Sequence, residues 1–94
     1  MPAILVHHRV SDYDTWLPHF EAHAAARDTA GVVKAIVWQS ADDPNDVFVL
    51  MKAEDLAGLR GLAESEDLKQ TMLKAGVQLP VEVHFLTKAG IYEH

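Results

Sequence analysis

Apolar residues along this chain arrive in two rhythms. From Ala3 they run without a break, Ala-Ile-Leu-Val, and then give way to His7, His8 and Arg9 before Val10. A short apolar run of this kind predicts a strand, Ala3 to Val10, with both faces covered. Alternation puts Ile4, Val6, His8 and Val10 on one face, and Ala3, Leu5, His7 and Arg9 on the other. The rhythm then changes. Tyr13, Trp16, Leu17, Phe20, His23, Ala24 and Arg27 recur at steps of three or four, which predicts one long helix from about Asp12 to Thr29 with an aromatic face. Ser11 is the expected N-cap, with Asp14 three residues on as in a capping box. Pro18 lacks a backbone donor and predicts a kink near the first turns. Gly31 is the expected stop.

Val32 to Ser40 and Val47 to Ala53 return to strand character. Asp42-Asp-Pro-Asn-Asp46 between them has turn chemistry, so the two strands form an antiparallel hairpin. Glu54 to Leu62 reads as a short helix carrying Leu56, Leu59 and Leu62. Gly58 and Gly61 each weaken it by roughly 1 kcal/mol relative to alanine. Ser65 caps a second piece, with Glu66 and Asp67 in its first turn, Leu68, Met72 and Ala75 as its stripe, and Gly76 as its end. Pro80 to Lys88 is the last strand, and Gly90 to His94 a tail that is mobile or sits at a subunit contact.

The order βαββαβ is an α+β, ferredoxin-like pattern: one domain, residues 1–94, with a four-stranded antiparallel sheet and helices on one face. No helix remains for the other face. Yet the first three strands carry apolar residues on both parities. An open apolar face on the order of several hundred Å² is unusual for a monomer. The pattern therefore predicts a homodimer, sheet against sheet.

Composition narrows the function classes. At 94 residues the chain suits a single small domain, which buries a modest share of its surface, so a second copy would help. Eight basic residues against fourteen acidic ones give a net charge of −6. The basic residues are scattered, with no stripe to track phosphates, so no nucleic-acid partner is expected. There is no cysteine, which excludes a thiolate nucleophile, a disulfide and a sulfur-ligated metal. The first apolar run, about four residues, falls short of the roughly 7–15 of a secretory core, and no stretch is long enough to span a membrane. The expected setting is the cytoplasm.

The candidates for chemistry are mostly histidines. His7 and His8 point to opposite faces, so they cannot hold one metal ion together. Alternation with Val10 favours His8 as the residue under the long helix, where a neutral imidazole can serve as a general base; a partly buried, hydrogen-bonded histidine is the structural alternative. His19 and His23 share a helix face at i, i+4, a metal-binding spacing, but Phe20 stands where a metalloprotease has glutamate and no third ligand is evident. No metal is expected, and His23 is read instead as a polar group in a pocket. Tyr13, Phe20 and Trp38 are either core or the wall of an aromatic site, and the Tyr13 hydroxyl can orient a ligand oxygen. His84 faces either the pocket or a subunit seam. Arg27 suits the helix C-terminus. Asp42, Asp43 and Asp46 lack calcium-loop spacing and read as a solvated tip.

Several of these pieces together carry a resemblance. They are Val10-x-Asp-Tyr-Asp-x-Trp16, Phe20-x-x-His23, Arg27, Gly31, Asp42-Asp-Pro-Asn-x-Val47, Ser65-x-x-Leu68 and Ala75-Gly-Val77. The chain resembles small bacterial proteins of the dimeric α+β barrel group, related to antibiotic biosynthesis monooxygenases. The resemblance implies two sheets closing a barrel and a pocket between helices and sheet in each subunit. The group includes cofactor-free monooxygenases, polyketide cyclases, isomerases and haem-degrading enzymes. Haem-degrading members place a histidine seven residues after a helix-starting serine and a tryptophan at the end of the third strand. Here those positions are Met72 and, approximately, Ala53, so haem degradation with the usual ligand is not expected. Met72 is read as core packing or as a weak pocket ligand.

The resulting expectation is a pocket for a small apolar or aromatic molecule and no cofactor. The chemistry expected there is cofactor-independent oxygenation or cyclisation. His8 would be the base, with Tyr13, His23 or Trp38 orienting the substrate. The alternative is a non-catalytic ligand-binding or accessory module.

Overall fold

The computed structural model describes every residue from Met1 to His94. Strand β1 spans Pro2–Val10 and leads into helices α1 (Tyr13–Ala22) and α2 (Ala24–Thr29). The hairpin strands are β2 (Val32–Gln39) and β3 (Asp46–Ala53). Helices α3 (Leu56–Glu64) and α4 (Glu66–Lys74) follow, and β4 (Val77–Thr87) completes the sheet. All pairings are antiparallel and the spatial order is β2-β3-β1-β4. This is the expected ferredoxin-like α+β arrangement.

Alternation on β1 and β3 builds the core. Ile4, Val6, His8 and Val10 point to the helices, as do Val47, Val49, Met51 and Ala53. Ile4 and Leu59 are at most 1% exposed, and burying each such side chain contributes about 1.5–3 kcal/mol. Leu5, His7, Phe48 and Leu50 alternate to the helix-free face.

Three local expectations change. The N-cap is Asp12, whose carboxylate accepts from the Thr15 N–H at 3.0 Å. Ser11 instead donates its backbone N–H to the Gly76 carbonyl, tying the start of α1 to the end of α4. The long helix breaks at His23, not near Pro18. The Phe20 carbonyl, released from regular helical pairing at the break, accepts from the Arg27 guanidinium at 2.6 Å. Strand β4 begins at Val77, so Pro80 lies inside it; β4 is an edge strand, where a missing ladder donor is tolerated. Opposite that proline the β1–β4 register shifts between His7 and Arg9. Gly31 and Gly76 end their helices at φ 83° and 85°, the left-handed conformation that glycine adopts without strain. No helix is long and apolar enough to cross a membrane.

Candidate functional site

Between the helices and the sheet lies a cavity of about 60 Å³. Val6 and His8 of β1 and Val49 and Met51 of β3 form its floor. Trp16, His19 and Phe20 come from α1, His23 from the break, Arg27 from α2, and Leu68, Thr71 and Met72 from α4. Apolar groups dominate the lining, so the polar atoms that do reach it are conspicuous.

His8 is the principal one. It is 4% exposed, and its Nδ1 is buried with no hydrogen-bond partner. Leaving such an atom unpaired costs on the order of 1–3 kcal/mol. Burial pushes its pKa below the ordinary histidine value, and the neighbouring His7 charge acts in the same direction. The ring is therefore neutral near pH 7. Trp16 meets it edge to face at 5.9 Å, and Phe20 stacks on Trp16 at 5.1 Å, so an aromatic row fixes the imidazole from above.

The break at His23 turns that side chain toward α4, where its Nε2 pairs with the Asp67 carboxylate at 2.7 Å. The His23 side chain is 12% exposed and that of Asp67 is 73% exposed, so the pair spans the cavity rim and solvent. A carboxylate on one ring nitrogen orients the imidazole and leaves the other nitrogen available. Arg27 lies over the Phe20 ring at 3.8 Å, with its pKa lowered by burial.

A second cavity of about 30 Å³ lies on the β4 side of the same core. Both cavities are lined by Val6, Met51, Leu62, Leu68 and Met72. Met51 and Met72 thus both stand where the two spaces adjoin; both are unbranched, and Met72, the less buried of the two, is the more easily rearranged.

Of the residues singled out from the sequence, His8, His23, Phe20 and Met72 converge on the cavity. Three do not. Tyr13 packs beside Trp16 at 5.7 Å but is not part of the lining. Trp38 pairs with Phe48 and His84 with Leu5, so both belong to the helix-free face; Trp38 is 59% exposed. Alternation told that they share faces with other residues, but the cross-strand register decided which face. His19 and Arg27 also line the cavity. Asp67 was missed altogether: its place in the first turn of α4 reads as a dipole-complementing acid, and the His23 contact appears only when α1 and α4 pack side by side.

The fold is that of antibiotic biosynthesis monooxygenase-like structures. SnoaB from Streptomyces nogalater, a cofactor-independent oxygenase, superposes with a TM-score of 0.78 at 14% identity, over 99% of this chain and 97% of SnoaB. An antibiotic biosynthesis monooxygenase superposes with a TM-score of 0.73 at 13% identity, over 96% of this chain and all of that one. A candidate enzyme of the same kind from Deinococcus radiodurans gives a TM-score of 0.71 at 10% identity, over 100% and 98% of the two chains. No protein-family model matches the sequence, and no curated protein matches it either.

Proposed function

We propose that this chain binds a small apolar or aromatic molecule in the cavity under α1. There it would catalyse a cofactor-independent oxygenation or cyclisation. The observation that carries this reading is the neutral, buried His8 on the floor of an apolar chamber, with its Nδ1 unpartnered. A ligand hydroxyl or an acidified C–H is the partner that this imidazole would take. Burial holds the ring neutral and ready to accept a proton, but it makes the base weak. The substrate must therefore be activated, with a proton lowered by an adjacent carbonyl or aromatic system. In an oxygenation, the carbanion left behind gives electrons to dioxygen and forms a C–O bond. The peroxide takes the proton back and loses water to leave a ketone. His23, oriented by Asp67, would hold the ligand oxygen at the rim. The likeness to SnoaB in fold supports this reading. The protein would work as a homodimer in the cytoplasm.

A cavity of about 60 Å³ is small against the roughly 300–1,000 Å³ of typical ligand pockets. That favours, as a second reading, a binding module for a compact ligand, with Met72 moving to join the neighbouring space.

The two readings separate by experiment. In a Trp38→Phe background Trp16 is the only remaining indole, and phenols or naphthols entering the cavity should quench its fluorescence. Absence of saturable quenching removes the pocket reading. Oxygen uptake with enolisable aromatic ketones then tests catalysis: His8→Ala should lower kcat/KM by about 10²-fold or more. Binding with no turnover leaves the module.

A further inference from the structure

The polar side chains on the cavity wall are His8, His19, His23, Arg27 and Thr71, and no aspartate or glutamate lines it. Each of them can donate a hydrogen bond, and only Arg27 carries a permanent charge. The chain as a whole has fourteen acidic residues against eight basic ones, so a ligand space with a cation and no carboxylate runs against its average.

Arg27 is also the arginine whose charge is least answered. Arg9 pairs with Asp43. Arg60 lies on the Phe85 ring but is exposed to water. Arg27 is half-buried and forms no ion pair. Its side chain donates to the Phe20 carbonyl and rests on the Phe20 ring. That anchors the guanidinium yet uses one donor of five. The Asp67 carboxylate is taken up by His23. Burial lowers the Arg27 pKa, and no acidic group acts in the opposite direction. A guanidinium stays protonated all the same, so the wall of an apolar chamber holds a charge without a counter-charge.

We propose that the cavity takes a compact carboxylic acid, its carboxylate on the Arg27 guanidinium and its apolar body among Trp16, Phe20 and Met72. The inference rests on the ligand cavity proposed above and names the charge of its occupant. Three considerations select a carboxylate. The planar guanidinium fork matches a carboxylate with two parallel hydrogen bonds. One permanent cation balances one negative charge, whereas a phosphate dianion would keep half of its charge unanswered in an apolar space. The third is size. A cavity of roughly 150 Å³ takes benzene, so spaces of about 60 and 30 Å³ that adjoin at Met72 suit a body of one ring or a short branched chain. The net charge of −6 repels anions at long range. The attraction must therefore be local, and Arg27 is where the cavity supplies it.

Matched probes test this. Benzoate and benzamide share a shape and differ by one charge. In the Trp38→Phe background Trp16 is the only remaining indole and reports binding. Near pH 7 and at low salt, benzoate should bind about tenfold or more tightly than benzamide, because charge-assisted hydrogen bonds are roughly twice as strong as neutral ones. Arg27→Gln should bring benzoate to within about threefold of benzamide. Arg27→Lys keeps the charge without the fork and should fall between the two. Benzamide affinity in each variant reports whether the cavity survives the loss of the arginine from the Phe20 ring. With Arg27 in place, its Nε–H resonance should move on titration with benzoate and stay fixed with benzamide, a readout independent of any substitution there. Benzamide binding as tightly as benzoate, or a preference that persists in Arg27→Gln, overturns the acid and leaves the pocket standing. So does binding of phenol when neither matched probe binds. If none of the three binds, the pocket and the inference fall together.

Discussion

On one side of β1, His7 is held by two carboxylates; one residue later, His8 is dry and unpartnered. The consequences for stability have opposite signs. His7 has a raised pKa in the fold, so its contribution is complete below its ordinary value of 6.5 and is lost as pH rises through the folded value. His8 has a lowered pKa, so the fold resists its protonation, and stability falls as pH drops below 6.5 toward the folded value. An NMR titration should find the His7 midpoint above that of His8, with 6.5 between them. Coincident midpoints would contradict the burial argument. For the proposed activity, kcat/KM should show its acid limb below the usual histidine range, because His8 must be unprotonated to accept. Asp67→Asn should leave that limb in place while raising KM, since Asp67 touches His23 and not His8.

Helix ends and helix glycines give the element-scale tests. Asp12→Ala removes the carboxylate that caps α1 and should cost about 1 kcal/mol in urea denaturation. Ser11→Ala should cost less, because Ser11 caps nothing with its hydroxyl. The two glycines of α3 should part company. A Cβ at Gly61 meets open space, so Gly61→Ala should stabilise by up to about 1 kcal/mol. A Cβ at Gly58 runs into the Ala30 carbonyl, so Gly58→Ala should destabilise despite the better helix former. Equal shifts for the two would refute the close approach of α3 to the end of α2. The sequence makes these glycines equivalent, because propensity is a property of the residue, whereas the clash depends on a backbone 28 positions away.

Across the whole molecule, Met72 links packing to function. Met72→Ala should merge the two cavities. It should cost stability, by less than the roughly 2–5 kcal/mol of a fully buried methionine because Met72 is only partly buried, yet bind larger aromatic probes more tightly by Trp16 quenching. If larger probes gain nothing, the spaces are not joined through that side chain. The same scale separates the two histidine environments. Helices cover one sheet face and leave the other bare, so His8 and Trp38, both on strands, end in unrelated surroundings.

Periodicity alone determined the elements: a step of two along β1 and β3, and steps of three or four along α1 and α4, each set by backbone geometry local to a few residues. It also determined that His7 and His8 part company, since adjacent strand residues cannot share a face. The tertiary structure decided what those local rules do not contain. Strand register sent Trp38 and His84 away from the helices. Helix packing broke the first helix at His23 and brought Asp67 to it from 44 residues away. The size of the cavity, and the missing partner of His8 within it, follow from how the side chains of several elements fill one space. No single stretch of sequence records that volume.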